Sequence, residues 1–424
     1  MVIFAEKMMK RTIQSLIILL AAATATSAQE ISYGEYMERV MQGNISLTAK
    51  KLDIEIADAN LKSSKVHNDP TLALTYTNNE DWDKKLGQGI ELELSRSFTF
   101  GVRRNRINVA ESEREETIAL FEEYMRNFRA DATIAYLAHL RAVMLHGEAT
   151  EIYKELSEVA MSDSIRFIKG EIAESDWLES RMAQGIACNA MLDAEALLAN
   201  TAITMGYYMG NLDGAETLKG KGTLEISEKA ADIETYTKAA LGNRADLVVA
   251  LSRAETAKAM QRYNSALRRP DLNLTIGATY NKARPDFTTL KAGVAIPLKF
   301  SNLNKGARIL DEVIVKQSDI AIEEARLLVE ADVMQAYSNF LYASKQAETF
   351  TGETIGDMRK VVEGKRKAYE LGEISFMEYL IAERNENEMR REYIDALYNK
   401  ATAWVELQRA TGFSLEFGTM PIAE

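Results

Sequence analysis

The sequence predicts a mainly α protein with a small β part, built as two copies of one unit. Each unit reads helix, two strands, very long helix, tight turn, helix. Three observations predict this: the positions of the prolines, an internal repeat, and a double heptad of apolar residues. The five prolines are Pro70, Pro270, Pro285, Pro297 and Pro421. Proline breaks helix interiors, so the proline-free stretches 71–269 and 298–420 permit helices of unusual length.

The repeat sets the unit boundaries. Asp69-Pro70-Thr71-Leu72-Ala73-Leu74 recurs as Arg269-Pro270-Asp271-Leu272-Asn273-Leu274, an offset of 200 residues. Gly170-Glu171-Ile172 recurs as Gly372-Glu373-Ile374 at an offset of 202, and so do Asp176-Trp177-Leu178 as Glu378-Tyr379-Leu380 and Gly210 as Gly412. The first unit is therefore 29–210, with a hairpin at 71–98, a long helix at 102–169 and a helix at 175–210. The second is 243–412, with a hairpin at 271–298, a long helix at 304–371 and a helix at 375–411. The connector 211–242 holds Gly214, Gly220 and Gly222 and one expected strand at Thr223–Ile226; a tail, 413–424, follows the second unit.

Both hairpins show period-2 patterning. Leu72, Leu74 and Tyr76, then Ile90, Leu92 and Leu94, alternate with Thr71, Ala73, Thr75, Thr77, Glu91, Glu93 and Ser95. Leu272, Leu274 and Ile276, then Leu290, Ala292, Val294 and Ile296, alternate with Asn273, Thr275, Lys291, Gly293 and Ala295. One face is aliphatic, and no nearby helical pattern offers a surface to bury it. Each strand has the length of a membrane β-strand. Four strands cannot close a membrane barrel, which needs about eight or more. Insertion therefore requires more than one chain, two giving eight strands and three giving twelve.

The second long helix carries Val313, Ile320, Leu327, Met334 and Leu341 every seven residues. Two positions on, Val315, Ile322, Val329, Ala336 and Ala343 do the same. Two residues rotate a helix by about 200°, so these seams lie on nearly opposite sides. Such a helix is wedged between two neighbours, whereas a dimeric coiled coil needs only one seam. The first helix repeats the pattern with Ile45, Leu52 and Ala59 beside Leu47, Ile54 and Leu61. An array in which every helix is wedged has no free edge and curves into a tube. Lys316, Glu323, Glu330 and Asp332 fall beside the seams and are expected to face water or a lumen. The stretch 102–169 would span about 100 Å, and Gly147 within it is expected to weaken it locally.

The N-terminus reads as a secretory signal over residues 1–28. Lys10 and Arg11 precede the apolar run Ile13 to Ala23, and Thr26-Ser27-Ala28 supplies the small-residue cleavage site. Its loss removes Lys7, Lys10, Arg11 and Glu6, so the net charge of −12 becomes −14. An acidic exported chain is a poor nucleic-acid binder. No other segment reaches about 18 apolar residues, so any membrane contact is through strands, and that implies an outer membrane. Cys188 is the one cysteine and reads as a small helix residue, leaving no disulfide framework.

No catalytic, cofactor or metal constellation stands out. His139 and His146 share a helix face, but two turns separate them by about 10 Å, too far for one zinc. HExxH, phosphate-cradling glycine loops and G-x-S-x-G are absent from the sequence. The residues alone leave two readings: a membrane-inserted duct, or a soluble periplasmic helical scaffold or adaptor that binds partners without spanning the membrane.

The duplicated units, with Gly293-Val294-Ala295-Ile296-Pro297-Leu298 before Asn304-Lys305-Gly306-Ala307-Arg308, resemble the TolC-like outer-membrane factor family over residues 30–415. Ser97-Phe98-Thr99-Phe100-Gly101, then Arg103-Arg104-Asn105-Arg106-Ile107 and Ala110, resemble its CzcC-like heavy-metal cation branch. The resemblance implies a homotrimer whose chains give four strands each to a 12-stranded barrel in outer-membrane lipid, continued by a periplasmic α-helical barrel. It also implies a tripartite efflux system with a periplasmic adaptor (membrane fusion) protein and an inner-membrane resistance-nodulation-division (RND) pump, with divalent metal cations as one implied cargo.

The tips at Gly170, Glu171 and Ile172, and at Gly372, Glu373, Ile374 and Ser375, match the family's adaptor-docking turns. Gly372 suits a helix C-terminus that needs positive φ, and Ser375 with Glu378 has capping-box spacing. In the first unit Ala173 replaces that serine, and Ser175 is expected to cap. Inward carboxylates narrow the family's tunnel near these tips. Glu378 matches one, Ile381 stands where the second would be, and Asp176 and Glu179 have the spacing in the first unit. A symmetric ring of such carboxylates attracts cations. The same charges equally suit the positive end of a helix.

Overall fold

The structure, a computed structural model, describes residues 30–80, 85–226, 231–282, 288–298, 305–350 and 352–412. The expected signal segment, the tail 413–424 and Asn304 of the junction motif lie outside the described residues. The first half runs β1 (Glu30–Ser32), α1 (Tyr33–Gly43), α2 (Ile45–Ser64), β2 (Thr71–Glu80), β3 (Lys85–Phe98), α3 (Val102–Ile168) and α4 (Glu174–Met209). After β4 (Lys219–Lys221) come α5 (Ile233–Asn243), α6 (Ala245–Leu267), β5 (Leu272–Asn281), β6 (Thr289–Ala295), α7 (Lys305–Thr349), α8 (Gly352–Glu370) and α9 (Phe376–Thr411).

The opening helix of each unit is two helices. Ser32 starts α1 with a reciprocal capping box to Glu35. Asn44 then leaves the helical region at φ −69°, ψ 122°, and its Oδ1 accepts from Leu47 N (3.0 Å) to start α2. Arg244, 200 residues on, occupies the same break between α5 and α6. The matching contact recurs across the units. Asn44 Nδ2 donates to Tyr208 O (2.9 Å), and Arg244 Nη1 donates to Ala410 O (3.4 Å). Beside these carbonyls α4 and α9 end at Gly210 and Gly412, both with positive φ (73° and 72°). A Cβ on Gly210 would run into the Gly43 carbonyl; one on Gly412 would stand 3.1 Å from Asn243 O.

Helix α3 is 67 residues without a break, about 100 Å long. It runs through Gly147 without a break. The matching stretch of the second unit, expected as one helix at 304–371, is described as two, α7 ending at Thr349 and α8 beginning at Gly352. Thr349 Oγ1 donates back to Gln346 O (2.6 Å) as α7 ends.

The connector also differs from expectation. Its strand is Lys219–Lys221, not Thr223–Ile226, and it pairs in parallel with β1. Gly222, at φ 142°, ends the strand, and Leu224 and Ile226 are buried as irregular chain. The main core gathers around this small sheet. Tyr136 on α3 packs on Tyr33 and Tyr36. Its hydroxyl accepts from Lys221 N (3.1 Å) and lies 2.6 Å from Lys221 O and 3.0 Å from Ile31 O, donating to one of them. Gly220 is required by closeness: a Cβ there would be 3.0 Å from His139 Cδ2. His139 is fully buried, bonded to Thr201 Oγ1 (3.0 Å), and burial pulls its pKa down to about 4.

The two hairpins form one four-stranded antiparallel sheet in the order β2-β3-β5-β6. Its register aligns the alternation of all four strands. Leu72, Leu94, Ile276 and Ala292 share one row, and Leu74, Leu92, Ala278 and Leu290 another. The opposite face carries rows such as Ala73, Glu93, Gly277 and Lys291, and Thr75, Glu91, Thr279 and Thr289. Lys291 Nζ pairs with Glu91 Oε1 at 2.7 Å on that polar face. The aliphatic face is exposed, Leu74 at 72% and Leu290 at 82%. Among the described residues the sheet ends in two unpaired edges, β2 and β6.

The helices form a row that also has two edges. Near the sheet the order is α2, α3, α6, α7; farther away it is α4, α3, α9, then α7 and α8. On α7 the two seams part as the heptads imply. Val329 and Ala336 are buried, and Val315, Ile322 and Ala343 half-buried, against this chain's own helices. Val313, Ile320, Leu327, Met334 and Leu341 are exposed. On α2, Leu47, Ile54 and Leu61 pack inward, whereas Ile45, Leu52 and Ala59 are exposed. Among the beside-seam charges, Asp332 accepts from Arg244 Nη1 (2.9 Å) and does not face open water alone.

Two glycines separate conformational from propensity effects. A Cβ at Gly147 meets nothing within 4 Å, so Gly147→Ala should stabilise by roughly 0.5–1 kcal/mol. Gly210→Ala should destabilise by about 1–2 kcal/mol or more, from its left-handed φ and the Gly43 contact. The unfolding temperature followed by circular dichroism should move in opposite directions for the two.

Candidate functional site at the helical tips

At the end of the molecule far from the sheet, both units turn through the same device. Glycine at positive φ (Gly170, 77°; Gly372, 75°) lets the helix close with two backbone bonds. Glu171 N donates to Arg166 O (2.8 Å) and Gly170 N to Phe167 O (2.9 Å); Glu373 N to Ala368 O and Gly372 N to Tyr369 O (both 2.9 Å) repeat them. Ser375 then caps α9, its Oγ accepting from Glu378 N (3.3 Å). The first unit differs from expectation: the N-cap of α4 is Ala173, with no side-chain bond, and Ser175 lies inside the helix. An alanine already holds the extended N-cap backbone (φ −72°, ψ 155°), so the helix starts there and Ser175 follows too late to cap it.

A stacked aromatic pair clasps each turn. Phe167 and Trp177 stack at 4.9 Å, and Tyr369 and Tyr379, 202 residues on, at 6.0 Å. A cation covers one ring of each: Arg181 lies 5.1 Å over Trp177, and Arg166 5.3 Å over Tyr369. Glu171, Glu373 and Ser375 are exposed and Ile172 and Ile374 half-buried. Ile168 (81% exposed) and Leu371 (75%) project beside them.

The three expected gate carboxylates are not brought together within one chain. Glu378 is exposed in the first turn of α9, with Oε2 3.8 Å from Lys365 Nζ on α8. Asp176 and Glu179 are half-exposed on α4. Asp176 is close enough to Tyr369 for its charge to help raise that phenol's pKa. Ile381 is exposed on α9.

Sequence reasoning missed a charged layer just behind the tips. Asp163 is fully buried, with Oδ1 3.5 Å from Arg166 Nη1 and neither oxygen completing a hydrogen bond among the described residues. Burial first, then Asp163, raises the pKa of Tyr369. Helix α8 is tied to α3 by two ion pairs one heptad apart, Arg359 with Glu151 (3.5 Å) and Arg366 with Glu158 (3.4 Å). On α9, Arg390 holds Glu148 on α3 and Glu386 on its own helix, each at 2.7 Å. Glu383 is the exception. It is 3% exposed, and its Oε2 completes no hydrogen bond among the described residues. Burial, then the Glu155 and Glu386 carboxylates, push its pKa up to about 7. The seven-residue spacing of Glu151 with Glu158 and of Arg359 with Arg366 was the available sequence signal.

Among the described residues no group of three or more His, Cys, Asp or Glu is placed to hold a metal ion, and no helix is long and apolar enough to cross a membrane. Cys188 is half-buried.

A sheet with one exposed aliphatic face, prolonged into a row of very long helices closed by paired tips, is the fold of outer-membrane channels of known structure. The same fold is found in VceC of Vibrio cholerae (TM-score 0.74, 14% identity, covering 90% of this chain and 96% of that one). It is found too in the CmeC outer membrane channel of Campylobacter jejuni (0.73, 15%, 89% and 84%) and the MtrE outer membrane channel of Neisseria gonorrhoeae (0.72, 15%, 89% and 88%). Residues 237–413, the second unit from α5 to the end of α9, match the family described as Outer membrane efflux protein. No curated protein matches the chain in sequence.

The raised pKa of Glu383 gives a signed prediction. The folded chain binds this proton more tightly than the unfolded chain, whose glutamate titrates near 4.5. Stability should therefore fall as pH rises from about 4.5 through about 7. Glu383→Gln removes a penalty on the order of 3 kcal/mol, raising the unfolding temperature at pH 8 by a few degrees and leaving it nearly unchanged at pH 4.5.

Proposed function

We propose that the chain is the outer-membrane channel of a tripartite efflux system in a Gram-negative bacterium, acting as a homotrimer without catalysis. Three four-stranded sheets joined edge to edge make a 12-stranded barrel, and three helix rows make the tube below it. The observation that carries this reading is that every edge left by one chain is sticky and unsatisfied. Among the described residues the β2 and β6 edges lack strand partners. The outer seams Val313, Ile320, Leu327 and Met334 on α7, and Ile45 and Leu52 on α2, are apolar and exposed.

With the aliphatic face toward lipid, the polar face lines a water-filled lumen. The signal segment fits export, and most of the chain then lies in the periplasm. Conduction is passive; an inner-membrane RND-type pump supplies energy, and a periplasmic adaptor docks at the tips around Gly170, Glu171 and Ile172 and around Gly372, Glu373, Ile374 and Ser375. In the trimer Glu378, Asp176 and Glu179 form the candidate lumen gate. Opening requires α8 to leave α3, and its ties suit that motion: exposed ion pairs of the Arg359–Glu151 kind contribute about 0–1 kcal/mol each. Divalent metal cations as cargo are supported only by the likeness of the 97–110 junction to the CzcC-like branch.

Strand facing supplies the test. Leu74→Arg puts a cation on the lipid face, at a cost of about 2–4 kcal/mol per chain near mid-bilayer. It should remove the protein from outer-membrane fractions washed with high salt. Thr75→Arg, one residue on, faces the lumen and should leave fractionation unchanged while lowering single-channel conductance in planar bilayers. Equal fractionation of both variants, or release of the parent protein by salt, would favour a soluble periplasmic scaffold.

A further inference from the structure

Arginines crowd the level at which strands give way to helices. One basic hollow there is lined by Arg262 of α6, Arg268 and Arg269 after it, and Arg308 of α7, with Asp311 and Glu312. Asp311 is already committed: Oδ1 accepts from Asn264 (2.8 Å) and Oδ2 from Arg268 Nη1 and Nη2 (both 3.1 Å). Arg262 is 57% exposed and only 3.9 Å from the equally exposed Glu255.

The internal repeat makes Arg308 the informative residue. Its counterpart 202 residues earlier, Arg106, is engaged with the chain's own backbone, donating to Ser64 O (3.0 Å) and Val66 O (2.6 Å). Arg308 is exposed and makes no such bond among the described residues. Arg104, in the matching junction of the first unit, is exposed in the same way.

An apolar hollow adjoins the basic one, with Arg269 lining both. Phe100, Pro270, Leu272 and Ile296 form its walls, with Asp271 beside Arg269. Leu272 is in register with Phe98, on the sheet's aliphatic face. Arg96 lies on that face too, its guanidinium 5.3 Å over the Phe98 ring. A cationic recess opening directly onto a lipophilic one has the shape of an amphiphile with a negative head and an acyl tail.

We infer that this paired recess binds an anionic glycerophospholipid of the periplasmic leaflet, the phosphate held by Arg262, Arg269 and Arg308 and an acyl chain laid against Phe100, Leu272 and Ile296. The inference rests on the channel reading above, which places this level at the inner headgroups. It gives a purpose to the junction arginines that conduction does not use: they fix the depth of the barrel and lock the first turn of α7 beneath it.

The test uses the full-length oligomer in nanodiscs of equal phosphatidylglycerol and phosphatidylcholine, with retained lipids counted by native mass spectrometry after gentle extraction. Phosphatidylglycerol should be enriched, each arginine contributing roughly fivefold. Arg262→Gln with Arg308→Gln should lower the enrichment by more than about tenfold at unchanged oligomer mass, whereas Arg384→Gln with Arg391→Gln on α9 should not. Excess inorganic phosphate should leave the enrichment intact. Equal retention of both lipids, enrichment that survives the double variant, or displacement by free phosphate would each overturn the site. A chain that fails to enter the nanodisc would instead defeat the channel reading, so the two failures are distinguishable.

Discussion

Everything in this molecule turns on edges that one chain cannot close. A β-sheet edge presents unpaired backbone donors and acceptors, and in a hydrocarbon environment each unsatisfied group costs several kcal/mol. The four-stranded sheet has two such edges. The helix row below has the same defect in apolar form, with seams on α2 and α7 left open on the sides that face away from the chain's own core. The same two units build both the sheet and the helix row.

The internal repeat explains how so long an object keeps its alignment. The breaks at Asn44 and Arg244 seat against the glycine ends of α4 and α9 through equivalent contacts, one neutral and one charged. Arg244 adds Asp246 and Asp332 to its partners, so the second unit is tied more firmly at this level than the first. At the tips the units diverge in another sense. Phe167 and Trp177 form an apolar clasp, while Tyr369 and Tyr379 carry hydroxyls that lie beside the buried acids Asp163 and Glu383. A wholly apolar layer would hold α8 shut. Buried charge with incomplete compensation weakens that hold.

What was legible in the sequence is what periodicity writes there. Proline-free stretches gave α3, alternation gave the four strands and their faces, and two heptad phases on α7 gave the two seams, of which one is open. Gly170, Gly372, Gly210 and Gly412 announced turns because only positive φ ends these helices so sharply. The breaks at Asn44 and Arg244 were not legible, since one polar residue between helical patterns looks like a solvated helix position. The three-residue strands β1 and β4 are too short for any period. Asp163 and Glu383 were missed for a different reason: their burial arises from packing α3 against α8 and α9, more than 200 residues away in sequence. Ordinary charges on a helix face carry no mark of that environment.

The central claim is that the open seam of α7 meets the open seam of α2 from a neighbouring copy. By the repeat, Leu52 of α2 lies at the level of Ser252 of α6, which runs beside α7 near Leu327. The decisive measurement is oxidative cross-linking in native membranes of Leu52→Cys with Leu327→Cys, in a Cys188→Ala background, read on a denaturing gel. The account predicts a ladder that stops at three chains, with neither single variant giving the three-chain species. A chain that stays monomeric under oxidation while folded and membrane-bound would contradict it.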